Sequence, residues 1–161
     1  MLKKRWFSVV GVAVVLSLAL LVAACGGDDD DGNGDDGGNG DNGPPPGDVS
    51  TSLDVVLDEF SVSASLDSAG AGTVTFGLVN DGTMLHNFRV IATDLAADAL
   101  PVIEDEFIVD EGAVDVLAAS ADLDVGGSED VSVELEAGSY VLICNVPGHY
   151  TSGMFTAFTV Q

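Results

Sequence analysis

The chain has 161 residues, which is enough for one domain of ordinary size and a tail but too few for two full domains. Its 27 acidic side chains face only four basic ones, Lys3, Lys4, Arg5 and Arg89, which gives a formal net charge of −23. A protein that binds DNA or RNA needs basic side chains to neutralise phosphates, so this composition excludes nucleic acid as a partner.

Residues 1–25 have the order of a secretory signal. Basic residues at positions 3–5 precede an apolar run from Trp6 to Ala24, and small residues lead to Cys25. The last five residues resemble a lipobox, which implies that Cys25 carries a diacylglyceryl chain and becomes the mature N-terminus. The alternative is an uncleaved anchor, because the apolar run is about long enough to span a bilayer. Both interpretations place the following domain outside the cytoplasm, since the basic residues stay inside.

Residues 26–49 are predicted to be a disordered acidic tether. They are mostly Gly, Asp and Asn, followed by Pro44–Pro46, with no large apolar residue before Val49. Such a segment cannot bury enough apolar surface to order itself. A flexible chain of this length spans roughly 27 Å. The Asp run lacks the spaced ligands of a calcium loop, so a solvated spacer is the favoured interpretation.

Residues 50–161 form the predicted domain. Short apolar alternations separated by turn residues are typical of an antiparallel β-sandwich or barrel, so the predicted fold class is all-β. The predicted strands cover 53–60, 73–79, 86–91, 131–135, 140–144 and 155–160, with turns at 80–82 and 136–138. The region 92–127 has a weaker pattern, in which 95–100 is a candidate helical segment.

The loop after the strand at 140–144 carries three side chains that bind soft metals. Cys144 offers a thiolate, His149 an imidazole and Met154 a thioether, a mixture that suits copper better than zinc or magnesium. The only other histidine of the chain, His86, lies at the end of a predicted strand, from which it can reach this loop. Seen alone, such residues usually fill a core. Together they make the ligand set of a blue copper electron-transfer site, with Met154 as the long axial ligand.

The loop 144–154 and the His86-Asn87 pair resemble the cupredoxin family, and the resemblance covers residues 53–161. It implies a cupredoxin-like, Greek-key β-sandwich or barrel that holds one type 1 copper ion through the four ligands above. In members of the family, a helical flap separates the first histidine from the cysteine. The resemblance therefore implies a short helical excursion within 92–127.

The resemblance also implies roles for residues around the metal. Asn87 occupies the position whose hydrogen bonds hold the ligand loop and the thiolate in place. Val146 stands where a backbone N–H reaches the sulfur of Cys144. A competing thioether, Met84, lies close to His86, but its spacing to the loop fits packing at the rim of the site better.

Together these features predict a monomeric, membrane-tethered carrier of single electrons outside the cytoplasm. Both histidines are used by one site, so a second, catalytic copper centre is excluded and no enzymatic activity is expected. The alternative is a copper-binding or copper-delivery lipoprotein of the same fold.

The charge of the domain predicts a basic redox partner, such as a cationic cytochrome or oxidase domain. Residues 50–161 contain 19 acidic side chains and one basic residue, Arg89. Long-range attraction would speed the encounter with a basic protein. The ring edge of His149 is expected to reach the surface as the electron outlet, with acids such as Glu104, Asp105 and Glu106 steering from further away.

Overall fold

The computed structural model describes residues 50–161, and the predicted signal and tether lie outside the described residues. Within this part of the chain, no helix is long and apolar enough to cross a membrane. The described strands are β1 (Ser50–Asp58), β2 (Ser61–Ala64), β3 (Ser68–Ala69), β4 (Gly72–Asn80), β5 (Arg89–Ala92), β6 (Val102–Ile103), β7 (Ile108–Val109), β8 (Asp115–Ala119), β9 (Ser128–Leu135), β10 (Gly138–Ile143) and β11 (Phe155–Val160). A single-turn 3-10 helix, Tyr150–Ser152, lies between β10 and β11.

The strands form two main sheets with a shared core. One sheet has the order β2-β1-β4-β9, the other has the order β3-β11-β10-β5-β8, and β6 and β7 form a separate hairpin. Most pairs are antiparallel, but β1 pairs with β4 and β3 with β11 in parallel. Along β1, Leu53, Val55 and Leu57 point into the core while their neighbours are exposed, the period of a strand with one buried face. The predicted all-β sandwich is therefore confirmed.

Strand β10 is buried on both faces. Leu142 belongs to the main core between the sheets, and so does Cys144, which is the first residue after the strand. Val141 and Ile143 point the opposite way into a second cluster. In this cluster they pack with Tyr150, with a residue of β7 and with a residue that precedes β6. Close packing on both sides leaves little room for movement. Cys144 therefore leaves a strand that is fixed from two directions.

The region 92–127 differs from the expected helical excursion. Residues 95–100 contain a bend and a turn, and the rest of the region contains the β6–β7 hairpin and the edge strand β8. Six residues followed by Pro101 are too few to sustain a helix in water. Leu100 is instead buried in the second cluster, so this region covers the outer face of β10 without helical structure.

One strand ends earlier than predicted and another begins later, and both differences affect the metal-binding end. β1 ends at Asp58, which leaves Glu59 and Phe60 in the turn before β2. β5 begins only at Arg89, so His86 lies in the preceding loop, where it forms an isolated bridge. These end residues are thereby free to face the site instead of alternating along a strand.

Candidate metal centre

Three donor atoms converge in a buried pocket. Nδ1 of His86 lies 3.1 Å from Nδ1 of His149, and Sγ of Cys144 lies 3.7 Å and 3.5 Å from these two nitrogens. A triangle with these sides has a circumscribed radius of about 2 Å, which is the usual metal–imidazole bond length. All three side chains are buried. Their spacing and chemistry fit one transition-metal ion, which these three atoms would hold, and the thiol with two imidazoles favours copper.

The ligand loop closes on itself through its backbone. The N–H of Met154 donates to the carbonyl of His149 at 3.1 Å, and the N–H of Cys144 donates to the carbonyl of Met154 at 3.0 Å. Gly153 has a φ of 106°, a conformation that lets the chain turn from the 3-10 helix into β11. Met154 is fully buried and tied to both other residues. Its thioether is therefore the fourth candidate donor.

The loop carrying His86 is held in place independently. The backbone of His86 exchanges hydrogen bonds with Leu123 at 3.1 and 2.7 Å. Asn80, fully buried at the end of β4, donates through Nδ2 to the carbonyls of Met84 and Leu123. These hydrogen bonds hold both ends of the turn that was predicted after β4. They also fix the backbone that carries His86.

Asn87 contacts both the sulfur and the ligand loop. Its backbone N–H donates to Sγ of Cys144 at 3.4 Å, and its Oδ1 accepts from the backbone N–H of Asn145 at 2.8 Å. Its Nδ2 donates to Asp122 at 3.0 Å, which fixes the orientation of the amide. The Oδ1 atom also lies 3.9 Å from Sγ of Cys144, so both the main chain and the side chain of Asn87 contact the sulfur.

The protonation of the donors follows from their burial. Burial raises the pKa of the Cys144 thiol, although the N–H groups of Asn87 and Val146 and the charge of Arg89 oppose this effect. Burial, together with nearby His86, lowers the pKa of His149. The metal-free site therefore holds a neutral thiol and a neutral imidazole at His149. Metal binding must release the thiol proton.

His149 does not present the free ring edge that was expected from the sequence. The residue is only 3 % exposed. The ring of Phe60 lies edge-on against it, with centroids 5.3 Å apart and planes at 81°. Phe60 is itself 42 % exposed. The surface next to His149 is therefore contributed by an aromatic ring from the β1–β2 turn.

The comparison with protein families identifies the domain. The family model for the sulfocyanin (SoxE) domain matches residues 68–161. The chain belongs to the sulfocyanin family. No curated protein gives a significant match.

Solved structures show the same fold as this sulfocyanin domain. A reduced auracyanin from the photosynthetic bacterium Roseiflexus castenholzii is 22 % identical, with a TM-score of 0.53 over 69 % of this chain and 97 % of that one. Auracyanin A, a "blue" copper protein from Chloroflexus aurantiacus, is 20 % identical, with a TM-score of 0.52 over 70 % of this chain and 100 % of that one. Rusticyanin from Thiobacillus ferrooxidans is 22 % identical, with a TM-score of 0.50 over 70 % and 77 %. The fold is that of the cupredoxins.

Arg89, the one Lys or Arg in residues 50–161 of this sulfocyanin domain, lies beside the ligand loop. Nε of Arg89 donates to Oε1 of Glu111 at 2.8 Å, and its Nη1 donates to the carbonyl of Ser120 at 3.3 Å. The same Glu111 oxygen accepts from Nδ2 of Asn145, the residue after Cys144, at 2.8 Å. Burial would raise the pKa of Glu111, but Asn145 and Arg89 outweigh it and lower the pKa. The sequence signalled Arg89 only through its isolation among acids, and the role of Asn145 was missed.

A second residue missed from the sequence is Glu59. Its Oε1 accepts from the backbone N–H groups of Thr83 and Met84 at 2.8 Å each and lies 3.2 Å from Nε2 of His86. Burial would raise the pKa of Glu59, but the hydrogen bonds from Thr83 and Met84, with smaller contributions from the His86 ring and from the backbone N–H of Glu59 itself, outweigh it and lower the pKa. Glu59 is therefore a carboxylate at neutral pH. The predicted first strand extended through this position, and no motif marks it.

Proposed function

We propose that this chain is a membrane-tethered, extracytoplasmic type 1 copper protein that carries single electrons between redox partners. The observation that carries the proposal is the buried triangle formed by Nδ1 of His86, Nδ1 of His149 and Sγ of Cys144. With the thioether of Met154 it supplies the ligand set of blue copper sites. A copper ion held there supplies one-electron chemistry by alternating between its cuprous and cupric forms. The description of auracyanin A as a "blue" copper protein supports the assignment.

The protein contributes to electron transfer by holding the donor atoms in a rigid frame. His86 is bridged to Leu123, Cys144 follows a strand buried on both faces, and Asn87 ties the two segments together. No donor can relax without moving the elements that carry it. Donors held in one arrangement change little when the charge of the site changes, which favours fast electron transfer.

An electron carrier fits the histidine count better than an enzyme does. The chain contains two histidines, and both face the same pocket. A second copper centre with imidazole ligands therefore has no residues from which to form, and no further histidine is present as a general base. We accordingly propose no catalytic residues.

Spectroscopy of the copper-loaded protein tests this function. We expect one bound copper per chain and an intense visible band from thiolate-to-copper charge transfer, with a matching electron-spin-resonance signal. The band should bleach on reduction and return on oxidation. A colourless protein that binds copper and passes it readily to a chelator would contradict the proposal and favour a copper-delivery protein.

Met154 is expected to tune the site without being needed to retain the metal. A thioether bonds weakly, and it favours the cuprous form only in comparison with a harder oxygen donor. Leucine offers no donor atom to the more highly charged cupric form, so Met154→Leu should raise the reduction potential. The amide oxygen of glutamine is a harder donor that favours the cupric form, so Met154→Gln should lower it. Each shift should be on the order of 59 mV, the equivalent of a tenfold change in relative affinity. Redox titration measures both shifts, and Met84→Leu, a change at an exposed methionine, serves as the control. Loss of copper from both Met154 variants would show that its role has been misread.

The tether to the membrane is proposed from the sequence, because Cys25 lies outside the described residues. Cys25→Ser should block lipid labelling and signal cleavage together, since both depend on the same thiol. Metabolic labelling with a radioactive fatty acid, followed by electrophoresis, measures both effects. Cys144→Ser is the matched control and should be labelled normally. Unchanged processing of the Cys25 variant would favour an uncleaved spanning anchor.

A further inference from the structure

The turn between β1 and β2 contacts both histidines of the site. Glu59 faces Nε2 of His86, and its neighbour Phe60 packs against the ring of His149. Given the proposed copper site, on which this inference rests, we propose that Glu59 is a positioning residue. It holds the His86 ring with its proton on Nε2 and with the lone pair of Nδ1 directed at the metal position.

The hydrogen-bond geometry selects this tautomer. A neutral imidazole has one N–H, and a carboxylate only accepts. Nε2 of His86 lies 3.2 Å from Oε1 of Glu59, so this nitrogen must carry the proton for a hydrogen bond to form. Nδ1 is then an acceptor, and it faces Nδ1 of His149 at 3.1 Å and Sγ of Cys144 at 3.7 Å. The opposite tautomer would direct an N–H of His86 at the metal position. It would also set the lone pair of Nε2 against a lone pair of the Glu59 carboxylate.

Glu59 differs from an ordinary surface acid because it is itself held in place. The N–H groups of Thr83 and Met84 both donate to its Oε1 at 2.8 Å, and its side chain is only 20 % exposed. The carboxylate thus connects the β1–β2 turn to the loop that carries His86. A carboxylate that accepts from the far nitrogen of a ligand histidine fixes the ring and makes its metal-facing nitrogen a stronger donor. The more highly charged cupric form should gain most from this effect.

Gly82 has no side chain, and this leaves room for the contact between Glu59 and His86. A Cβ at this position would lie 2.6 Å from Oε1 of Glu59 and 2.8 Å from Nε2 of His86, closer than van der Waals contact permits. The φ of Gly82 is not in the left-handed region, so the close approach is what requires glycine here. Gly82→Ala therefore disturbs the Glu59–His86 contact without replacing either partner.

Nitrogen-15 NMR of the metal-free protein tests the tautomer directly, using long-range couplings in the imidazole rings. Wild-type His86 should carry its proton on Nε2. Glu59→Gln should keep this tautomer, because the N–H groups of Thr83 and Met84 orient the amide oxygen toward the ring. Glu59→Leu and Gly82→Ala should shift population toward the Nδ1-protonated form. Glu104→Gln, which removes an exposed acid, should behave as wild type.

Two results would overturn the proposal. One is a wild-type His86 protonated on Nδ1, and the other is a tautomer in both Glu59→Leu and Gly82→Ala that matches the Glu104→Gln control. If Glu59→Leu does not fold, Gly82→Ala and Glu59→Gln still decide the question. A wild-type protein without the visible band would contradict the proposed function, whereas the metal-free tautomer would still decide the role of Glu59.

Metal titration measures the consequence for binding. Competition with a chelator should show that Glu59→Leu lowers cupric affinity about 10- to 100-fold, the usual loss when a hydrogen-bond partner of a ligand is removed. Cuprous affinity should fall less. Glu104→Gln should change neither affinity, because it alters the net charge alone. Equal cupric affinities for Glu59→Leu and Glu104→Gln would overturn the proposed effect on the metal.

Discussion

Cys144→Ser is expected to abolish the intense visible band of the copper-loaded protein. The band requires a soft, covalent sulfur donor, and a hydroxyl oxygen is a hard donor that cannot replace it. No other sulfur in residues 50–161 takes its place, since the two methionines there offer only thioethers. Absorption and electron-spin-resonance spectra at equal copper content measure the loss. Cys25→Ser, outside the described domain, should keep the band if the copper site is as proposed.

The Cys144 variant should remain folded, so the loss of colour can be assigned to the metal. Serine is smaller than cysteine, and its hydroxyl can accept from the Asn87 N–H that now donates to sulfur. The net destabilisation is expected to be about 1–3 kcal/mol, because the site is buried and polar groups there must stay paired. Circular dichroism of the metal-free variant checks the fold. An intense band that survives in the folded variant would refute the site assignment.

The sequence predicted the long strands because their alternation is a direct consequence of one buried face. β4, β9 and β11 were found close to their observed bounds for this reason. β3, β6 and β7 have two residues each, too few for a period to be seen. The apolar residues at 95–100 were predicted as helical because local sequence does not show that Leu100 packs against the outer face of β10.

The ligands and the supporting residues differ in how visible they are in sequence. Cys144, His149 and Met154 share one loop, so their chemistry can be read from spacing alone. Glu59 is 27 positions from His86, and Arg89 is 22 positions from Glu111. Such contacts arise only when the sheets pack. The expectation of an exposed His149 edge was wrong because Phe60, far away in sequence, covers it.

Encounter with a redox partner is expected to depend on an aromatic surface and an acidic one. Phe60 lies against His149, and Phe107, which is 59 % exposed, accepts the N–H of Gly148 through its carbonyl. Both residues therefore lie beside the ligand loop. The acids at 104–106, in the turn before β7, are exposed as the steering role requires. We propose that the aromatic residues form the docking surface and that the acids attract a basic partner.

Charge reversal tests the acidic surface. Replacing Glu104, Asp105 and Glu106 with lysine should slow association with a basic cytochrome by about tenfold at low salt, within the 10- to 10³-fold range of electrostatic steering. The difference should shrink above 0.1 M salt, where the screening length is about 10 Å. Lysine at Asp54, Asp130 and Glu134, exposed positions of the β1 and β9 sheet, makes the same change in net charge. This control should have a smaller effect if position matters.

Phe60→Asp tests close docking separately from steering. A charge in the centre of an apolar contact must be desolvated when the partner binds, and salt does not remove that cost. Stopped-flow electron transfer across a salt series should therefore show slower transfer at every salt concentration, while Phe60→Leu keeps the apolar contact and should react nearly as wild type. Val146, beside His149 in the ligand loop, is partly buried against the core, so Phe60 is the sharper position to test. Rates that are indifferent to Phe60→Asp but fall equally in both triple-lysine variants would mean that net charge alone guides association and that electrons leave by another route.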